Sequence, residues 1–211
     1  MKKIIITLSI LLTCILIFTG CESGYIDIRG TVTPMDSNAN PNSEFFNGGT
    51  YVNEFFGFKS DFSADWELQN PKNFSNKNIA FCGKTKDLSI TINMIQLNVF
   101  SDLRDKPENE LSDYFLKLHQ NNLEKSNLQT SDGEPFEIEL EFLNKQHKAT
   151  TAKTHLVDNG SPGATTFLAL NYKEYIILIQ LSTYNEKANV DTIKDFYKTA
   201  FEPTQKSIIG G

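Results

Sequence analysis

The sequence predicts an α+β fold, an antiparallel sheet of about seven strands covered by helices on both faces. Three observations predict it. Leu88 to Met94 and Phe136 to Phe142 alternate apolar and polar residues with the period of two that marks a strand. Thr166 to Tyr172 and Tyr175 to Leu181 are nearly continuous in apolar residues, as strands in the middle of a covered sheet are. Residues 105–126 and 186–201 switch to helical spacing, and two helices can supply the cover.

The chain opens with Lys2 and Lys3, an apolar run from Ile4 to Phe18, and Thr19-Gly20 before Cys21. Fifteen apolar residues are short for a helix that spans a bilayer, and the run reads as an export leader. Phe18-Thr19-Gly20-Cys21 resembles the lipobox of bacterial lipoproteins, with Phe18 where Leu, Val or Ile is usual. The resemblance implies that the Cys21 thiol receives a diacylglycerol, that residues 1–20 are cut away, and that the new amino terminus is acylated. One acyl chain binds a membrane marginally at about 0.8 kcal/mol per buried methylene, whereas two or three hold stably. The expected place is the extracytoplasmic face of the cell membrane, with the membrane as partner through Cys21.

Removing 20 of the 211 residues leaves 191, enough for one ordinary domain and a tether. Lys2 and Lys3 are the only charged residues in the leader, so the net charge moves from −6 to −8. That acidic balance argues against nucleic acid as a partner. Of three cysteines, Cys14 leaves with the leader and Cys21 is lipidated, so Cys82 has no partner for an intrachain disulfide.

Residues 21–47 form the tether, with Pro34 and Pro41 denying it regular structure; Tyr25 to Thr33 alternates weakly, and a short strand there is the alternative. The folded domain spans residues 48–205. Tyr51, Val52, Phe55, Phe56, Phe58, Phe62 and Trp66 predict two or three short strands, broken at Gly57, with Trp66 a core anchor. Past a polar stretch from Asn70 to Asn78, a strand runs from Ile79 to Cys82 and ends at Gly83. Lys84 to Asp87 turns the chain into the strand Leu88 to Met94, whose Ser89, Thr91 and Asn93 point away from the core.

Asp105 and Glu108 stand at capping-box spacing around Pro107, opening a helix to residue 126. Leu111, Tyr114, Phe115, Leu118 and Asn122 make its inner face. Four strands follow: Phe136 to Phe142, a turn over Asn144 to His147, Lys148 to Val157, a loop over Asp158 to Gly163, and the two apolar runs. A helix over residues 186–201 presents Val190, Ile193, Tyr197 and Ala200, and Thr204 onward frays, with residues 206–211 as tail.

An opening aromatic hairpin, with Tyr51-Val52-Asn53, Phe56-Gly57-Phe58 and Trp66, then a strand pair, a helix, a four-strand meander and a closing helix resemble the PsbP-like fold. That fold is shared by an extrinsic subunit of photosystem II, the Ran-binding import factor Mog, and lipoproteins of Gram-positive bacteria. The resemblance covers residues 48–203 and implies an α/β/α sandwich serving as a non-enzymatic interaction module, with no catalytic motif.

Glu137, Glu139 and Glu141 form an acidic ladder on one strand face, extended by Glu134. Residues two apart on a strand lie about 7 Å from one another, and no calcium loop is present, so the ladder reads as a solvated face matched by Lys148 or Lys153. Its functional alternative is a surface for a basic partner. His119 on a helix flank, His147 in a turn and His155 on a strand share no metal-ligand spacing, so neither metal nor cofactor is expected. Cys82 reads as a buried, inert thiol. No G-x-S-x-G, S-x-x-K or H-E-x-x-H motif nominates a catalytic residue.

The expected function is a lipid-anchored binding module of the bacterial envelope that engages an envelope protein or a basic partner; the alternative is an envelope hydrolase with a dispersed site. A flat, exposed apolar patch favours the first, and a pocket holding two titratable groups within hydrogen-bond reach the second. A transporter's solute receptor fits poorly, because it closes two lobes on its ligand and this chain has one domain. Nothing in the sequence sets an oligomeric state.

Overall fold

Strands that are apolar on both sides need cover on both sides, and the architecture follows from that demand. The computed structural model describes residues 50–53, 57–62, 65–69, 79–98, 103, 106–126, 129–172 and 175–204. Cys21, the leader, the tether, the strand alternative at Tyr25 to Thr33, Phe55, Phe56, Asp105, the stretch Asn70 to Asn78 and the tail lie outside them.

The elements in order are β1 (Thr50–Asn53), β2 (Phe58–Asp61), β3 (Trp66–Gln69), β4 (Ile79–Thr85), β5 (Ile90–Asn98), α1 (Glu108–Ser126), β6 (Gln129–Ser131), β7 (Phe136–Phe142), β8 (Lys145–Leu156), β9 (Pro162–Tyr172), β10 (Tyr175–Tyr184), α2 (Val190–Ala200) and β11 (Glu202–Pro203). A 3₁₀ turn, Asn185–Lys187, precedes α2. Among the described residues, eight strands form one antiparallel sheet in the order β3-β4-β5-β10-β9-β8-β6, with β7 also on β8. The α+β fold with a covered antiparallel sheet is as the sequence predicts.

One face packs under α2. Ile92, Met94, Leu168, Ile177, Ile179, Leu140 and Phe142 meet Ile193, Tyr197 and Phe201 there. Burying each such side chain is worth about 1.5–3 kcal/mol. The opening hairpin joins the same core but not the same sheet: β1, β2 and β11 make a separate three-stranded sheet. Phe58 ties it down, with its ring 5.9 Å from Phe142 and 5.8 Å from Phe201, both edge-on. Trp66 is half-buried against Phe62 and Phe196, at 5.1 and 5.5 Å. The other face packs under α1, which crosses β6, β8 and β9 and sets Leu111, Phe115 and Leu116 against Ala152, Phe167, Ala169 and Leu178.

Several expectations need correction. Gly83 does not end β4; it pairs with Leu68 and Ile92, and the strand runs to Thr85. Leu88 is not in β5 but in the turn, at φ 61°. Ser89, Thr91 and Asn93 are buried rather than outward, and their polar groups find partners inside the protein, Asn93 in Gln180 of β10 and Ser89 in Asp87 of the turn. The buried stripe of α1 takes in Ser112, Leu116, His119 and Leu123, leaving Tyr114 and Leu118 half-buried. Strand β6 was not anticipated. The β7–β8 turn is two residues, Leu143 and Asn144, at φ 51° and 62°, so His147 lies within β8. Left-handed backbone costs a leucine about 1–3 kcal/mol, which the burial of Leu143 offsets. Helix α2 starts at Val190, where Asn189 caps it by accepting from the Thr192 amide at 2.7 Å. Thr204 is held, its amide donating to the Gly57 carbonyl at 2.8 Å.

Candidate functional site

The β7–β8 hairpin places the acidic ladder. Ile138, Leu140 and Phe142 turn into the core, so Glu137, Glu139 and Glu141 turn the other way along β7. Lys148 of β8 lies opposite Glu139 and pairs with Glu137 at 2.9 Å, and Lys198 of α2 pairs with Glu141 at 3.3 Å. The hydrogen bond and charge of Glu137, with the more distant charge of Glu139, hold the Lys148 ammonium above its ordinary value. Lys153 is exposed on β8 and joins no described ion pair. Phe136, at the start of β7, is 36% exposed.

The three histidines stand in three environments. His147 is buried, and its Nδ1 lies 3.1 Å from both Glu108 carboxylate oxygens at the start of α1. Its Nε2 is buried without a hydrogen-bonding partner, so this carboxylate–imidazole pair has no nucleophile beside it among the described residues. His155 is half-exposed, with Nδ1 2.5 Å from Asp132. His147 and His155 share one strand, eight residues and about 26 Å apart, and do not meet across the hairpin. His119 is buried on α1 with its ring 5.3 Å from Phe167, and burial pushes its imidazole down to about 4. Among the described residues no three metal-ligating side chains gather. Cys82 is buried within β4, opposite Gln69 and Asn93.

A shallow depression of about 370 Å³ lies on the outer side of α1 around Tyr114 and Leu118. The charged groups in it are helix-surface ion pairs, Lys106 with Glu110 at 3.0 Å and Asp113 with Lys117 at 2.8 Å, both at i,i+4 spacing. At the β4–β5 turn, Asp87 accepts from Thr85 Oγ1 at 2.6 Å and from the Ser89 hydroxyl and amide at 2.7 and 3.0 Å. Those bonds hold its carboxyl well below the usual range and serve the turn.

Sequence reasoning missed the polar side of the α1 face. Asn93 and Gln180, both 3% exposed, face each other across β5 and β10, with Nδ2 3.3 Å from Oε1. Thr165 and Ser182 bond across β9 and β10 at 2.9 Å, and Gln129 donates to the Tyr184 hydroxyl at 3.2 Å. The available signal was Gln180, the one amide inside the apolar run from Tyr175 to Leu181.

The fold is similar to that of cyanobacterial PsbP from Synechocystis sp. PCC 6803, at 13% identity over 81% of this chain and 99% of that chain, TM-score 0.45. It is similar to the Ran-binding protein Mog1p of Saccharomyces cerevisiae, at 8% identity over 72% and 93%, TM-score 0.42. It is also similar to LpqN, which is involved in cell envelope biogenesis of Mycobacterium tuberculosis, at 12% identity over 70% and 83%, TM-score 0.40. PsbP and Mog, both named from the order of elements, are thus among the similar folds. No family model matches the chain, and no curated protein matches it. Among the described residues no helix is long and apolar enough to cross a membrane.

Proposed function

We propose that this protein is a lipid-anchored binding module on the extracytoplasmic face of a bacterial membrane, held by Cys21, and that it binds a basic envelope protein rather than turning over a substrate. Phe18-Thr19-Gly20-Cys21 supports the anchor. The observation that supports the binding surface is the alternation along β7. Three carboxylates face away from the core, and the Lys148 and Lys198 ammonium groups match two of the three charges. Surplus negative charge on an exposed strand face suits a partner that brings arginine or lysine to it.

Two measurements test the two halves. Cys21→Ser should move the protein from membranes to the soluble fraction and stop lipid labelling; membrane retention would remove the anchor. A photo-crosslinking residue at position 139 in living cells should capture one dominant protein, and the charge reversal Glu137→Lys in the same chain should abolish that product. A product unchanged by the reversal would remove the acidic surface and leave the anchor untouched.

A further inference from the structure

Strand β8 ends at Leu156 and β9 begins at Pro162, and the loop between them carries Asn159 followed by Gly160. Val157, Asp158, Asn159 and Gly160 are exposed in succession. The Gly160 amide donates to the Leu156 carbonyl at 2.8 Å, and the Leu156 amide to the Ser161 carbonyl at 2.9 Å. The Ser161 amide donates to Asn159 Oδ1 at 2.9 Å.

That last bond makes an Asx turn, which folds the Asn159 carboxamide back over the peptide bond to Gly160. The same N–H is placed to stabilise the negative oxygen that forms when a nucleophile adds to Asn159 Cγ. The nucleophile at hand is the Gly160 nitrogen, and holding the two groups next to each other in one chain favours their reaction. Gly160 stands at φ 68°, and a Cβ placed on it would meet nothing within 4 Å, so no packed neighbour shields it on that side. Its N–H must leave the Leu156 carbonyl before the nitrogen can attack. An exposed loop tip with no buried side chain opens at low cost.

Other asparagines lack this combination. Asn171 precedes Tyr172, and its side chain donates to the Lys106 carbonyl at 2.9 Å. Asn93 precedes Met94 and is buried against Gln180. Asn47, which also precedes a glycine, lies outside the described residues.

We infer that Asn159 is a site of spontaneous deamidation. The Gly160 nitrogen forms a bond to Asn159 Cγ, the bond from Cγ to Nδ2 breaks, and the proton from the Gly160 amide leaves with the departing ammonia. Water then opens the cyclic imide at either carbonyl and gives aspartate or isoaspartate. The sum is a carboxamide and water becoming a carboxylate and ammonium, with no oxidant or reductant. Both products add a negative charge beside Asp158. Isoaspartate also routes the backbone through the former side chain and lengthens the loop by a methylene. The inference stands whether or not Cys21 carries a lipid and whether or not the β7 face meets a partner.

The test is incubation of the full chain in detergent micelles, in warm, mildly alkaline buffer made with heavy-oxygen water, followed by tryptic peptide mass spectrometry. The peptide of residues 154–173 contains both Asn159 and Asn171, so the control is internal. Asn159 is expected to gain the heavy oxygen and to resolve into aspartate and isoaspartate forms, while Asn171 stays unlabelled. The folded chain should label Asn159 at a rate close to that of the same chain in urea. Gly160→Ala, which adds a methyl beside the attacking nitrogen, should label much more slowly. The comparison in urea needs no variant, so it decides the matter even if Gly160→Ala fails to fold. An Asn159 that stays unlabelled in the folded chain while it labels in urea, equal labelling of Asn171, or an unchanged rate in the folded variant overturns the inference.

Discussion

The Tyr197 hydroxyl of α2 donates to the Ile179 carbonyl of β10 at 3.0 Å, with both residues fully buried. Burial pushes the phenol well above its ordinary value, so the donor keeps its proton at every working pH. This bond fixes the helix on the central strand at the point where Ile193 and Phe201 also pack. Tyr197→Phe keeps the ring and leaves the Ile179 carbonyl without that donor. The expected cost is about 1–2 kcal/mol, read as a thermal midpoint lower by about 2–8 °C. A midpoint equal to wild type would count against the assignment.

The α1 face should make the protein acid-sensitive. His119 ionises near 4 when folded and at its ordinary 6.5 when unfolded, because burial disfavours the cation. The unfolded chain therefore takes up the proton first. The stability contribution is complete above about pH 6.5 and is lost as the pH falls toward 4, with about 2 kcal/mol gone by pH 5. His119→Phe preserves a ring against Phe167 and removes the titration. Urea unfolding at pH 7 and pH 5 should show a smaller pH difference in the variant than in wild type; equal differences would refute the account.

How much of this was legible depended on whether a residue's pattern had one physical reading or two. The runs Thr166 to Tyr172 and Tyr175 to Leu181 had one, and they became the paired strands β9 and β10 inside the sheet. Glu137, Glu139 and Glu141 likewise could only be the polar row of β7. Alternation at Thr91 and Asn93 had two readings, because a polar row facing water and a polar row bonded across strands look identical in sequence; the partner, Gln180, lies 87 residues from Asn93. Gln129 to Ser131 has no apolar period, and it is a strand only because β8 offers it an edge. The packing of Gln129, Thr154, Gly163 and Tyr184 escaped for the same reason, since these residues become neighbours only after the sheet forms.

The C-terminal segment earns a place in the fold that its composition conceals. Glu202 and Pro203 pair with Lys59 and Phe58, and the Thr204 amide bonds to Gly57. Ending the chain after Phe201 removes β11 and exposes one side of β2, whose Phe58 carries the aromatic contacts to Phe142 and Phe201. Two or three lost backbone hydrogen bonds predict about 1–3 kcal/mol of destabilisation in a denaturant titration. A truncated protein as stable as the full chain would show β11 to be incidental.

Gly163 should be intolerant of the smallest side chain, for a reason one neighbour controls. An alanine methyl there would sit 2.7 Å from Thr154 Oγ1, too close for any real contact, and 3.4 Å from the Tyr184 ring. The strand is buried and paired on both sides, so the backbone cannot give way, and overpacking of this kind costs about 1–3 kcal/mol. Thr154→Ala removes the offending oxygen. Gly163→Ala should therefore cost markedly less in the Thr154→Ala background, with a coupling of about 1–2 kcal/mol in the double-mutant cycle. Additive effects would mean that the Tyr184 ring, not Thr154, sets the limit at this position.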